Sequence, residues 1–245
     1  FRRVLFRSTR RANVSNPRLA VYDIPRTEPA TLRSAVIVVP GGGFNVLADE
    51  HEGSAACRWL NEQGFVAFLV LHRVPTAKMP VPNAGPVQDV QKAVQEVRRR
   101  AAEFHLDPAK IAVLGFSAGG QAALVAATNP PRFPAADPDV SARPDALLLL
   151  YAWKIVGDGN QGLRSDVAID ATVPPTFIAQ SGDDQASVPQ GSANLYQKLV
   201  EAKVPAEIHI YETGGHGFGI KPGNKLPGQL DWKARAIDWL RARGW

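Results

Sequence analysis

Six runs of six to eight mainly aliphatic residues recur along the chain, separated by longer helical patterns. They span 34–39 (SAVIVV), 65–72 (FVAFLVLH), 110–115 (KIAVLG), 145–151 (DALLLLY), 175–181 (PTFIAQS) and 206–211 (AEIHIY). A strand that stays apolar at successive positions must be covered on both faces, and a helix between each pair of strands supplies that cover. The rhythm predicts an α/β protein with a mostly parallel sheet built from βαβ units. Among the helical patterns, 86–104 places Val87, Val90, Val94, Val97, Ala101 and Phe104 three or four residues apart, with Pro86 at the favoured first position. Further helices are expected over 54–63, 121–127, 192–203 and 230–243. No repeat or linker divides the chain, so one domain is expected.

Composition narrows the function classes. With 45% hydrophobic and 21% charged residues the chain is neither disordered nor fibrous. A single cysteine, Cys57, makes no internal disulfide and no cysteine-rich metal site, and reads as a small buried hydrophobe. No apolar run approaches the roughly 18–20 residues of a membrane-spanning helix. The net charge of +5 suggests nucleic acid until its distribution is read. Arg2, Arg3, Arg7, Arg10 and Arg11 lie in a stretch with no acid, and the other 23 bases balance the 23 acids. Neither nucleic acid nor membrane is therefore an expected partner. The opening FRRVLFRS resembles a translated sequencing adapter joined to a truncated reading frame, and the only methionine is Met79. Residues 1–11 are accordingly expected to be artefactual or disordered, with 12–245 as the domain. A signal peptide upstream would be missing, which leaves a secreted or periplasmic location open.

Chemistry enters at Gly115-Phe116-Ser117-Ala118-Gly119, a G-x-S-x-G sequence directly after one predicted strand and opening a predicted helix. A sharp strand-to-helix turn lifts the middle side chain above the sheet, and the helix N-terminus favours negative charge beside it. Ser117 reads as a nucleophile, and a hydroxyl needs a base and an orienting acid. His216 alone among the five histidines combines a position after the acid candidates with a loop setting, GGHGFG, beyond the last strand. Asp183 and Asp184 both follow the strand 175–181. Asp184 is favoured because the loop must run two or three residues past the strand to reach the imidazole, and Asp183 reads as a turn residue.

Acyl transfer also needs donors for the oxygen that becomes negative. Gly41-Gly42-Gly43 follows the first strand, and the N–H groups of Gly42, Gly43 and Ala118 are the expected oxyanion hole. Neither phosphate-loop pattern is present. Together PGGGF, LADEHEGSAACRWLNEQGFVAFLVLHRV, GFSAGG, SGDD with VP following, and VPAEIHIYETGGHGFG resemble α/β-hydrolases of the acetyl xylan esterase and feruloyl–acetyl xylan esterase type, close to dienelactone-hydrolase-like enzymes. The likeness runs from about residue 40 to the C-terminus. It implies the α/β-hydrolase fold, Ser117 as nucleophile, Asp184 as acid and His216 as base. It also implies a serine carboxylester hydrolase acting on short acyl groups of carbohydrate, without cofactor. Pro40 stands where lipases carry His, Gln121 where many relatives have His, and Trp153 follows Tyr151 where Pro is common nearby.

Substrate contacts are expected from Phe44, Glu52, Gln121, Tyr151, Trp153 and Phe218. The aromatics sit at strand ends or in loops, where they stack on a sugar or simply pack. Glu52 either binds sugar hydroxyls or caps the following helix. Two Pro-, Gly- and Asp-rich stretches, 129–143 and 156–170, are candidate cleft walls. No acidic or His cluster has metal-ligand spacing. Other readings left open are a feruloyl or general short-chain carboxylesterase, a prolyl-oligopeptidase-like peptidase and a hydrolase-fold binding protein that has lost its chemistry.

Overall fold

The computed structural model describes residues 10–24, 31–131, 137–221 and 223–245. Its sheet has seven strands: β1 (Arg18–Tyr22), β2 (Arg33–Val39), β3 (Val66–Leu71), β4 (Leu106–Phe116), β5 (Ala146–Leu150), β6 (Thr176–Ser181) and β7 (Ala206–Tyr211). They lie in the order β1-β3-β2-β4-β5-β6-β7, all parallel to their neighbours except β1, which runs antiparallel to β3. The helices are α1 (Ala55–Glu62), α2 (Ala84–Arg99), α3 (Ser117–Thr128), α4 (Pro189–Glu201) and α5 (Pro227–Arg241).

Alternation of side chains along each strand divides the interior into two layers. Ile37, Val39, Phe68 and Val70 pack with α2, α3 and α4 on one face. Val36, Val38, Ala67 and Leu69 pack with α1 and α5 on the other, where Cys57 and Trp232 are also buried. Every residue of α3 is buried, as an all-round apolar helix requires. β1 escapes a sequence reading because it is five residues long and none of them is fully buried, which leaves no continuous apolar run.

Residues 1–9 of the expected N-terminal segment lie outside the described residues. Arg11 from the same stretch exchanges two backbone hydrogen bonds with Leu47, of 2.9 and 2.7 Å, and its guanidinium holds Asp49 at 2.8 Å. The stretches 129–143 and 156–170 do not wall the cleft in their described parts. Gln95 on α2 donates to the carbonyls of Asp137 and Val140, and Asn83 and Asn129 bond to Asp166, so these stretches cover the α2 side of the sheet.

The chain passes from β2 outward to β3 and then back across β2 to β4, which makes the carboxyl ends of β2 and β4 a topological switch point. Val39 faces Gly115 across that pair. The start of α3 presses so closely on the end of β2 that a methyl group at Gly119 would lie 2.2 Å from the Val39 carbonyl oxygen and 2.5 Å from that of Pro40. Gly119→Ala is therefore expected to destabilise the protein by about 2–3 kcal/mol or more in thermal or urea unfolding, the scale of an overpacked core. An unchanged melting temperature would refute the closeness of this approach.

Candidate active site

Where β4 gives way to α3, Ser117 adopts φ 49°, the left-handed region that non-glycine residues rarely enter. The turn is held because Trp153 N–H donates to the Ser117 carbonyl at 2.9 Å while Phe116 is buried on the sheet side. Its Oγ lies 2.8 Å from Nε2 of His216, and Nδ1 of the same ring lies 2.8 Å from Oδ2 of Asp184. The Asp184 side chain is fully buried, and its second oxygen accepts the N–H groups of Ala186 and Ser187 at 2.9 and 2.8 Å. A buried carboxylate with its remaining lone pairs bonded is an effective orienting group. Asp183 does something else: its Oδ1 accepts Gly215 N–H at 2.8 Å and pins the histidine loop from outside.

The carboxyl ends of β2 and β4 open into a cleft of about 830 Å³, lined by Gly42, Gly43, Ser117, Trp153 and His216 among others. Ala118 follows Ser117 in the first turn of α3, where backbone N–H groups have no partner inside the helix and the macrodipole is positive. Serine, imidazole, carboxylate and the amides expected of an oxyanion hole thus come from four separate loops at one sheet edge.

Of the six residues expected to meet substrate, four stand behind the cleft surface. Phe44 is 1% exposed, with its ring edge against His72 and Trp153 at centroid distances of 6.3 and 6.0 Å. Gln121 is buried and donates to the carbonyls of Trp153 and Lys154, at 2.8 and 3.4 Å, so it holds the loop that carries Trp153. Tyr151 is fully buried, stands edge-on to His216 at 5.1 Å and packs on buried Phe218 at 4.5 Å. Aromatic area in these positions stabilises most when shut away from water. Trp153 reaches the cleft, with the Lys154 ammonium 4.4 Å from its ring centroid.

Glu52 lines the cleft but is not the cap of the following helix. It sits in a π-helical turn (Glu50–Ser54) before α1, is 3% exposed and makes no cap. One carboxylate oxygen accepts Gly41 N–H at 2.9 Å and the other accepts the Tyr151 hydroxyl at 2.9 Å. Burial pushes its pKa up, against those two hydrogen bonds. Three acids, Asp49, Glu50 and Glu52, follow the glycine loop in sequence, and only the turn decides which of them points inward. Neighbouring His51 lines the cleft with its Nε2 3.7 Å from Glu52, and burial, followed by the charges of Lys221 and Arg10, lowers its pKa to about 4. Among the described residues no group of three or more His, Cys, Asp and Glu side chains is placed to hold a metal ion, and no helix is long and apolar enough to cross a membrane.

The family described as BD-FAE matches residues 21–136. Acetylxylan esterase of Xylanibacter ruminicola is 29% identical over 219 residues, covering 80% of this chain and 43% of that protein. Endo-1,4-beta-xylanase B of Butyrivibrio fibrisolvens is 27% identical over 237 residues, 86% of this chain and 36% of that protein. The chain spans less than half the length of these two curated relatives. Along nearly its whole length it superposes on the acetyl ester-xyloside bifunctional hydrolase from Caldicellulosiruptor lactoaceticus, with TM-score 0.77, 29% identity, and 93% and 88% of the two chains covered. Propionate-bound Est2, an esterase of Thermogutta terrifontis, gives TM-score 0.81 at 25% identity, covering 94% and 90%. The chain has the α/β-hydrolase fold, and these solved neighbours are ester hydrolases.

His51 makes the stability of the fold depend on pH. Its folded pKa lies below the ordinary histidine value of 6.5, so its contribution to stability is complete above pH 6.5 and is lost as pH falls towards 4. On the order of 1 kcal/mol is at stake once partial solvation is allowed for. His51→Gln is expected to flatten the fall of melting temperature between pH 6.5 and 4. An identical slope in wild type and variant would refute the depressed pKa.

Proposed function

We propose that the chain is a serine carboxylester hydrolase that removes short acyl groups, acetyl foremost, from carbohydrate such as xylan. The observation that carries this reading is the unbroken relay from Ser117 to His216 to Asp184, at 2.8 Å for each link, on the wall of an open cleft. The acetyl and carbohydrate parts draw support from the acetylxylan esterase and the acetyl ester-xyloside hydrolase among the similar proteins.

The reaction runs in two halves. Nε2 of His216 takes the Ser117 hydroxyl proton as Oγ bonds to the ester carbonyl carbon, and the carbonyl oxygen becomes an oxyanion. The N–H groups of Gly42, Gly43 and Ala118 receive that charge. Collapse breaks the bond to the sugar oxygen, which leaves with the proton from His216 as a free hydroxyl. A water molecule then attacks the acyl-Ser117 carbonyl, gives its proton to His216, and the second tetrahedral species releases the carboxylic acid and restores Ser117. Asp184 keeps the imidazole in the tautomer with Nδ1 protonated and offsets the imidazolium charge formed twice per turnover. The sugar passes Trp153, whose ring offers a stacking face at the cleft.

Ser117→Ala is expected to reduce p-nitrophenyl acetate turnover and acetate release from acetylated xylo-oligosaccharide to a trace. Asp184→Asn, which spoils the tautomer, is expected to cost about 10⁴-fold in kcat. Substantial turnover by folded Ser117→Ala protein would sink the nucleophile assignment. Acetyl esters hydrolysed no faster than long-chain esters would sink the short-acyl reading.

A further inference from the structure

One peptide unit, between the end of β2 and the glycine loop, has both of its polar groups held by buried side chains. The Pro40 carbonyl faces Nε2 of His72 at 3.0 Å, and the Gly41 N–H donates to Oε2 of Glu52 at 2.9 Å. His72 is 1% and Glu52 3% exposed. They arrive from different directions, His72 at the end of β3 and Glu52 from the turn before α1. The backbone beside His72 is itself fixed, because Arg73 N–H and its guanidinium both donate to Asp89 of α2 at 2.8 and 2.9 Å. Nδ1 of His72 lies farther from a carbonyl, 3.3 Å from that of Arg73, and burial lowers the ring's pKa, so the single ring proton belongs on Nε2.

A buried carboxylate is a poor way to gain stability, since an apolar side chain of similar size fills the space without desolvating a charge. What it provides is direction. An oxygen that only accepts turns the Gly41 N–H towards itself, and the donor on His72 turns the Pro40 carbonyl the opposite way. The plane of that peptide is then set, and the next two residues, Gly42 and Gly43, run along the cleft. There is no slack at this point, because a methyl at Gly41 would lie 2.7 Å from Cβ of Ser117. Glu52 also reaches the base: Tyr151, which donates to its other oxygen, stands edge-on to His216.

We infer that Glu52 and His72 are positioning residues that grip the Pro40–Gly41 peptide from its two sides and so aim the Gly42 and Gly43 amides at the developing oxyanion. The inference rests on the esterase reading above. A donor misplaced by even a fraction of an ångström stabilises the transition state poorly while ground-state binding persists, so the effect falls on kcat.

The experiment compares wild type, Ser117→Ala, Glu52→Ala, Glu52→Gln and His72→Phe with p-nitrophenyl acetate, together with the affinity of a trifluoromethyl ketone that adds to the serine to form a tetrahedral adduct. Turnover in wild type that Ser117→Ala abolishes secures the esterase reading; its absence counts against that reading and removes the inference with it. Glu52→Ala is expected to lose about 10²–10³-fold in kcat, the size of one lost oxyanion donor, with KM within about threefold. Glu52→Gln keeps an oxygen for Gly41 and a donor for Tyr151, and is expected to recover to within about tenfold of wild type. His72→Phe keeps the ring volume, loses the donor and is expected to fall about tenfold or more in kcat, which carries the test should Glu52→Ala not fold. Ketone affinity should fall in step with kcat. Folded variants with wild-type kcat, a raised KM at constant kcat, a Gln variant no better than Ala, or ketone affinity that stays unchanged would each overturn the inference.

Discussion

β2 and β4 lie side by side and parallel, with Val39 opposite Gly115, and that pairing brings the two loops that build the cleft to one place. Parallel neighbours end on the same edge, so the glycine loop after β2 and the serine turn after β4 meet without any special device. Closeness is then enforced by small residues: Gly41 sits against Cβ of Ser117, and Gly119 against the carbonyls of Val39 and Pro40. The left-handed backbone of Ser117 persists because this surround leaves the turn no other path.

The remainder of the site is built by burying polar groups in pairs. Asp184 is closed in by two backbone amides and the imidazole, and Glu52 by the Gly41 amide and the Tyr151 hydroxyl. In a medium of low dielectric such contacts hold direction firmly, because an unpaired carboxylate there is costly. The Tyr151 ring joins the two groups, touching the histidine by its edge and Glu52 by its hydroxyl. Ser117, His216 and the glycine loop therefore share supports, and a change at one is felt at the others.

Aliphatic runs made β2 to β6 readable, since strands buried on both faces tolerate few polar residues, while β7, an edge strand with no fully buried residue, was readable from its β-branched and aromatic residues. The five exposed or half-buried residues of β1 carried no such mark. Ser117, His216 and the adjacent pair Asp183 and Asp184 were legible as candidates from chain order and from loops that follow strands, whereas the 2.8 Å contacts among Ser117, His216 and Asp184 belong to the folded sheet edge. Phe44, Gln121, Tyr151 and Phe218 are buried behind the cleft, because a residue in a loop after a strand or in the first turns of a helix can point towards the cleft or away from it, and composition does not say which. Tyr151 has φ 39° and Phe44 φ 58°, and a backbone in that region sends a side chain where no periodic pattern anticipates.

By itself the sequence determined the number and kind of the principal layers, the strand-to-helix turn that bears Ser117, and the order of serine, acid and histidine, because these depend on local pattern and on spacing along the chain. Only the tertiary structure decided which acid faces the imidazole, that Asp183 ties down a loop, and that Glu52 and His72 hold one peptide between them. Those outcomes depend on the direction of side chains from elements far apart in sequence. Direction is settled by what each polar atom finds within about 3 Å once water has been excluded.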